Sequence, residues 1–495
     1  MSTLVHLLWI PLLGAVLPYA RIGFLTRDPF TFGRYVSGFV LAMALVQAAA
    51  FDYADPARMQ QRMNEPWIPA LSVRFHLGID GVSLPLVVLT ALLTFLCFVY
   101  LGRREVKDAR LLTSLLLVLE VGMIGTFLSL DLILFFVFFE IVLLPMYAII
   151  ALWGGPRRRH AAYKFILYTL LGSAVLLAGL VLLGWNARTF DMVALAEAHG
   201  DGLTHGIQVT AFALIGLGLA VKAPMWPLHT WLPDAHTEAP TVGSVLLAGV
   251  LLKMGTYGFV RIAVPALPEG AAYWAPWLGV LAVVGIVYGA LACLAQTELK
   301  RMIAYSSVGH MGFVLLGIAT LTPAGLNAAL FGNIAHGLIT GLLFFVAGSV
   351  KDRYGTGDLA ALGGGMLARA PRLASVLTFA CVASLGLPGL AGFWGEMLAL
   401  VGAYSPAEGL PRDTFLVLMV VAAIGAVLTA AYFLRLLRKI THGRSGTGEV
   451  VADVQTAEWA AWTPLIVCVL LVGLWPKVLL ALTDGPVRAL IGAGS

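Results

Sequence analysis

The sequence predicts an all-α polytopic membrane protein with about fourteen transmembrane helices. Three observations carry that prediction. The 495 residues are 60% hydrophobic and only 12% charged, where a soluble domain carries about 25% charge. Mean hydropathy is +0.92. Apolar runs of roughly 20 residues, long enough to cross a bilayer, recur between short connections. Backbone groups in hydrocarbon must be satisfied within the segment, which leaves helices as the spanning element. The alternation of short strands expected of a β-barrel is missing.

The segments run near 3–20, 30–51, 83–102, 111–129, 131–153, 161–184, 207–228, 241–263, 275–296, 302–320, 324–350, 372–404, 413–434 and 459–483. The first carries no cleavage-site pattern and is expected to remain as a span. Most connections are short, which favours neighbouring antiparallel helices. Residues 52–82 are longer, with Trp67-Ile68-Pro69 and a weak alternation at Leu71, Val73 and Phe75, and predict a strand or hairpin that caps the bundle. Residues 185–206 predict a polar loop in which His199 and His205 are solvated. Two spans are interrupted. Pro224 and Pro227 follow Lys222 in the seventh, and Leu385-Gly386-Leu387-Pro388-Gly389-Leu390-Ala391-Gly392 breaks the twelfth. Broken helices at membrane depth are tolerated only inside protein or beside a cavity, and a matched pair of them points to a transport site. The breaks lie an odd number of spans apart, so a repeat relating them would be inverted in topology.

Charge distribution predicts orientation. One set of loops holds Arg21, Arg27, Arg34, Arg103, Arg104, Lys107, Arg110, Arg157, Arg158, Arg159, Lys164, Lys300, Arg301, Lys351, Arg353, Arg369, Arg372, Arg435, Arg438, Lys439 and Arg444. The other holds Arg58, Arg62, Arg74, Arg188, Arg412, Lys477 and Arg488. The richer set belongs inside, and with fourteen spans both termini then lie on the outer side. The pI near 9.0 thus reports membrane orientation and not nucleic-acid binding. Ala, Gly, Leu and Arg usage leans toward a bacterial plasma membrane. Cys97, Cys293, Cys381 and Cys468 stand singly in apolar stretches, so no iron–sulfur or zinc motif is expected. A strand-linked glycine fingerprint and a Walker lysine are also missing, and Gly363-Gly364-Gly365 reads as a flexible connector. No cofactor and no metal is expected on this chain. Any transport must draw on an ion gradient or on partner subunits.

Against this apolar background a few ionisable residues stand inside spans, each at roughly 3 kcal/mol on insertion scales. Glu140 lies about nine residues past Asp131, near mid-membrane. It reads as a protonated structural carboxyl or as the partner of a lysine. Lys222 stands just before the first break, either in a structural ion pair or as a carrier whose proton affinity changes as a carboxylate approaches or retreats. At an effective dielectric near 20, one charge at ~4 Å contributes about 4 kcal/mol, ample to load and unload a proton. Lys253 is about ten residues from either end of its span, too deep to snorkel, and Gly243, Ser244 and Gly249 nearby suit close helix packing. His310 and His336 sit mid-span. Neutral imidazole both accepts and donates, which suits a proton wire; satisfied core histidines, or a pair of haem ligands, are the alternatives. Glu396 follows the second break and reads as a terminal carrier. Glu120, in the fourth span, is a further candidate to feed the line. His229, Asp234, His236 and Glu238 cluster in a loop as a proton entry mouth or helix cap, and only weakly as metal ligands. Asp80 reads as a turn and cap, and Arg261 as a helix-end residue.

The run Val221-Lys222-Ala223-Pro224, with His229-Thr230-Trp231-Leu232-Pro233-Asp234-Ala235-His236 and Ala239-Pro240-Thr241, resembles the signature of the antiporter-like membrane subunits of proton-pumping NADH:quinone oxidoreductase, respiratory complex I. Tyr305-Ser306-Ser307 and His310-Met311-Gly312 match another stretch of that family. The resemblance covers nearly the whole chain. It is nearest the M (chain 4) type, through Trp67-Ile68-Pro69, Gly78-Ile79-Asp80-Gly81, Tyr147, Trp153-Gly154-Gly155, and Glu396 where related subunits carry lysine. The chain stops soon after the fourteenth span, so the long lateral helix of the largest antiporter-like subunit is not expected. The resemblance implies two inverted five-helix repeats, 111–263 and 275–440, flanked by 1–110 and 459–483. It implies Glu140 and Lys222 as a coupling ion pair, Lys253 as central carrier, His310 and His336 beyond it, and Glu396 as the outer-half carrier. It also implies other membrane-arm subunits as partners, especially the two other antiporter-like ones, with redox chemistry in other subunits driving the protons. Rival expectations are a subunit of a multisubunit Na+/H+ antiporter, a subunit of a membrane-bound hydrogenase, and a proton-inert structural scaffold.

Overall fold

The computed structural model describes residues 3–19, 28–102, 104–443 and 451–492. Arg21, Arg27, Arg103 and Arg444, counted above for orientation, lie outside them. The apolar runs fold as helices, and their ends fall where capping residues stand. Helix α1 (His6–Val16) leads to α2 (Pro29–Ala49), which Asp28 caps by accepting the Thr31 amide at 3.1 Å. The segment 52–82 folds as the expected hairpin, β1 (Gln60–Ile68) antiparallel to β2 (Val73–Ile79), with Asn64 opposite His76. Then come α3 (Ser83–Leu101), α4 (Ala109–Leu128), α5 (Leu132–Ile141), α6 (Leu143–Trp153), α7 (Arg158–Ala187), α8 (Met192–Ala198) and α9 (His205–Lys222). The chain continues through α10 (Trp231–Glu238), α11 (Thr241–Ala266), α12 (Pro268–Ala295), α13 (Leu299–Ala319), α14 (Pro323–Tyr354), α15 (Pro371–Ser384) and α16 (Ala391–Tyr404). It ends in α17 (Arg412–Ile440), α18 (Thr456–Leu474) and α19 (Lys477–Leu490).

Among the described residues, 12 helices are long and apolar enough to cross a membrane. The two other segments read as spans are a shorter apolar run, Thr3–Tyr19, and the broken pair α15–α16. The segment 459–483 is not one span: α18 stops at Leu474, and α19 is a separate amphipathic helix with Leu479, Leu482, Val487 and Leu490 buried. The seventh and twelfth spans break where the prolines and glycines stand, α9 from α10 and α15 from α16. Three further irregularities lie outside the two expected breaks, although prolines stand beside two of them: Pro145 has no amide for Ile141, and Pro265 none for Arg261. α5 and α6 part at Val142, and α11 contains π-turns at Leu247–Leu251 and Phe259–Ala263.

α11 is wrapped by protein on all sides, and α13 and α14 nearly so, whereas α2 and α17 keep broad apolar faces outward. The buried helices form the axis of the molecule. Small residues bring them close. A Cβ on Gly337 of α14 would meet the Gly249 carbonyl of α11 at 2.8 Å, so these two backbones touch. The hairpin marks one side of the bundle, and both described ends of the chain lie there. Thr3 donates to Gln61 at 2.8 Å, and α19 packs on Gly81. On the same side, β-bridging joins Asp131, the N-cap of α5, to Asp191, the N-cap of α8. Burial alone would raise the Asp191 carboxyl, but His76 Nδ1 at 2.8 Å and the amides of Val193 and Ala194 outweigh it and hold it below the usual range. On the opposite side the same kind of bridge joins Glu298, the N-cap of α13, to Asp358.

α19 ties distant parts of the chain. Asn327 at the start of α14 donates to Asp484 at 2.9 Å and accepts from Thr483 at 2.6 Å, and the Leu482 carbonyl lies against Gly81. Gly81→Ala drives a methyl group into that carbonyl and is expected to cost about 1 to 3 kcal/mol. A lower thermal midpoint, with faster proteolysis of residues 477–492, is the expected reading.

Candidate functional site

Lys222 is the last residue of α9. The helix stops because Pro224 and Pro227 remove two amides and the ring positions forbid a further turn. The break frees the Val221 carbonyl, and the Trp231 indole donates to it at 3.0 Å. The Lys222 ammonium is buried. It lies 4.4 Å from the centre of the Phe139 ring and 3.5 Å from the Phe139 carbonyl. Glu140, the next residue, is only half-buried, and its carboxylate accepts the Ser173 hydroxyl. The carboxylate field reaches Lys222, but the two groups make no ion pair in this structure. Glu140 therefore sits toward the outside of the bundle, not in its core.

Lys253 is fully buried at the centre of α11. The π-turn before it explains how its ammonium is held. The Leu252 amide bonds to Leu247, five residues back, which leaves the Ala248 carbonyl free to accept Lys253 Nζ at 2.5 Å. The second contact is His336 Nδ1 on α14, at 2.6 Å. The Gly249–Gly337 approach puts these helices close enough for that bond. Among the described residues, no carboxylate partners this lysine.

His336 leads on to His310 of α13, with ring centres 5.7 Å apart. His310 Nδ1 lies 3.2 Å from Glu396 Oε1, and its Nε2 lies 2.9 Å from the Ser384 hydroxyl. A cavity of about 30 Å³ runs among His310, His336, Ser384 and Glu396, room for a water or two. It has no room for a haem. The second helix break shapes this end. Gly386, at φ +73°, lies beside the Glu396 carboxylate, which a Cβ there would meet at 2.8 Å. The line Lys253, His336, His310, Glu396 is thus drawn together from α11, α14, α13 and α16.

The remaining candidates fall elsewhere. Glu120 is fully buried on α4 with both carboxyl oxygens unpartnered, away from this line. The stretch read as a loop entry mouth contains α10. Asp234 pairs there with Lys164 at 2.7 Å and Arg301 at 3.6 Å, and Glu238 accepts the Arg157 amide at 2.9 Å. His229 is buried against Tyr288 and Tyr305. His236 is buried against Phe344, in the field of both Lys300 and Lys253. His205 is exposed beside Glu269, whereas His199 is tucked near Gly492 and not simply solvated. Asp80 caps α3 as expected, accepting the Ser83 amide at 3.0 Å, and also pairs with Arg261 at 2.5 Å. Arg261 is an interior residue of α11, not a helix end. The sequence reading also passed over Asn333, Thr340 and Ser384. Asn333 accepts the Thr256 hydroxyl at 2.9 Å. The spacing Asn333, His336, Thr340 puts three polar groups on one face of an apolar helix, a signal that was there to be read.

Residues 129–429 match the family described as NADH:quinone oxidoreductase/Mrp antiporter, TM. NADH-quinone oxidoreductase subunit M of Rhodobacter capsulatus is 41% identical over 91% of this chain and 88% of its own. A chain of respiratory complex I from Thermus thermophilus with bound NADH superposes with a TM-score of 0.87 at 30% identity, covering 99% of both chains. A chain of the Mrp complex from Dietzia sp. DQ12-45-1b superposes with 0.86 at 23% identity, over 100% of this chain and 98% of that one, which speaks to fold alone.

Lys253 is an uncompensated buried charge, so its removal should not weaken the fold. Removing the lysine also removes the desolvation cost of a buried ion, which offsets the loss of its two hydrogen bonds to Ala248 and His336. Lys253→Met is expected to keep or raise the thermal midpoint of the purified complex. A loss above about 1 kcal/mol would make Lys253 a structural tie.

Proposed function

We propose that this chain, which belongs to the NADH:quinone oxidoreductase/Mrp antiporter transmembrane family, translocates protons as the antiporter-like M-type membrane subunit of an NADH:quinone oxidoreductase. The observation that carries the reading is the contact of Lys253 with His336, continued through His310 to Glu396. Each member can hold and pass a proton. The groups at Lys253 are an ammonium, an imidazole and one carbonyl, not the several oxygens that a bare sodium ion needs, which favours H+ over Na+.

In this reading a proton enters from the side that holds Lys300. Lys300 is buried there against the Ala239 carbonyl at 3.0 Å, and His236 lies in the field of both it and Lys253. That side is the cytoplasmic one, by its basic loops, so both chain ends face the periplasm of a bacterial plasma membrane. Glu140 and Lys222 serve as the switch. They are apart now, and closing to contact would change the Lys222 proton affinity by about 4 kcal/mol at an effective dielectric near 20. Glu140 stands partly outside the bundle, where a neighbouring subunit can act on it. We assign that neighbour to another antiporter-like subunit of the membrane arm. Electron transfer belongs to other subunits, since the four cysteines lie on four different helices, all as free thiols. The two bridges on opposite sides, Asp131 with Asp191 and Glu298 with Asp358, support inverted repeats at 111–263 and 275–440.

The test is NADH-driven acidification in vesicles holding the complete complex. Lys253→Met and Glu396→Gln are each expected to lower it by about five-fold or more, within the ~100-fold or greater loss that removing one proton-transfer group can cause, with all subunits still comigrating. Full pumping in Lys253→Met overturns the reading. Sodium-dependent counterflow without NADH would move the assignment to an Mrp-type antiporter.

A further inference from the structure

A second polar feature of α11 takes no part in the line described. Tyr257 and Arg261 stand one and two turns beyond Lys253, toward the hairpin side. Arg261 Nη2 pairs with Asp80 at 2.5 Å, both buried, and its Nε donates to the Tyr257 hydroxyl at 3.2 Å. That hydroxyl donates to the Phe127 carbonyl at 3.0 Å. The Phe127 and Phe135 rings close around Tyr257, with centres 5.2 and 6.5 Å away. On the hairpin side a cavity of about 320 Å³ reaches as far as Asp80 and Arg261. Solvent thus comes within two helical turns of Lys253, about 12 Å at 1.5 Å per residue. The intervening layer is one ion pair and three aromatic rings.

That short way would be ruinous if it opened. A proton on Lys253 could leave directly to the hairpin side, or return from it, without passing His336, His310 and Glu396. The geometry is suited to keeping it shut. Asp80 is fixed as a helix cap by the Val82 and Ser83 amides, so the carboxylate that holds Arg261 cannot swing away. The ion pair closes the floor of the cavity, with both charged groups bonded to each other and neither left free to relay a proton inward. The aromatic layer behind it, Phe127, Phe135 and Tyr257, is fully buried. The Lys253 ammonium points the other way, to Ala248 and His336.

We propose that Asp80, Arg261 and Tyr257 form a proton seal that closes the direct hairpin-side exit from Lys253 and so commits its proton to the histidine line. The proposal rests on the reading of Lys253 as a carrier. The residues of the seal are positioning residues, not carriers.

The experiment uses the complete complex in vesicles and measures passive decay of an imposed pH gradient without NADH, beside NADH:quinone turnover. Asp80→Asn and Tyr257→Phe are expected to speed the decay by about five-fold and about two-fold, with turnover within about two-fold of the parent. Adding Lys253→Met to either should restore a tight vesicle, because the leak runs through that lysine. Tight vesicles in both single variants overturn the seal, as does a leak that persists with Lys253→Met. If Asp80→Asn does not assemble, Tyr257→Phe, which removes a single oxygen, decides alone. Normal pumping in Lys253→Met by itself would defeat the carrier reading, a result separate from tightness.

Discussion

A buried lysine with no carboxylate beside it among the described residues, at the middle of a helix that protein surrounds on every side, is the constraint on which the other arrangements depend. Lys253 can be charged there only if backbone and imidazole replace the water it has lost. That requires a free carbonyl within reach, which an uninterrupted α-helix does not have. It requires a second helix close enough to deliver His336, which only glycine contact allows. It also requires protein on every side of α11. The π-turn at Leu247–Leu251, the meeting of Gly249 with Gly337, and the near-complete burial of α13 and α14 are answers to one electrostatic demand.

Each interruption of helical bonding in the axis serves the same end by a different local means. At Lys222 two prolines stop the helix, and Trp231 takes up the carbonyl set free. At Lys253 the helix continues and only the register of its bonds slips. At Gly386 a left-handed glycine lets backbone pass beside the Glu396 carboxylate. The π-turn before Lys253 is enclosed by protein, as irregular backbone at this depth must be unless it lines a cavity, whereas the two breaks reach the surface of this chain at Pro227 and at Leu387-Pro388.

The fold class and the charged members of the path were legible in the sequence because a charge inside an apolar run is conspicuous. Hydroxyl and amide groups are not. Ser173, Ser384, Thr340 and Asn333 resemble ordinary helix residues, since a buried Ser or Thr can return its proton to the carbonyl four residues back. The pairing of Asp80 with Arg261 joins residues 181 apart in sequence, and nothing local announces it. Prolines and glycines declared two breaks. The parting of α5 from α6 and the second π-turn go with Pro145 and Pro265, which lack the amides for Ile141 and Arg261, whereas the π-turn at Leu247–Leu251 has no proline and follows from packing. Family resemblance suggests a Glu140–Lys222 ion pair, but side-chain separation is a property of one conformational state, and in this one Lys222 rests on Phe139.

The surface helix α19 has a consequence for the kind of motion available. It is bonded to the start of α14, rests on the loop that begins α3, and sits near His199 in the loop before α9. Halves joined in this way, and touching backbone to backbone at Gly249 and Gly337, cannot rock apart as rigid bodies without tearing both contacts. A proton path that avoided such tearing would need only the cavity of about 30 Å³ among His310, His336, Ser384 and Glu396 to fill and empty, a volume of one or two waters.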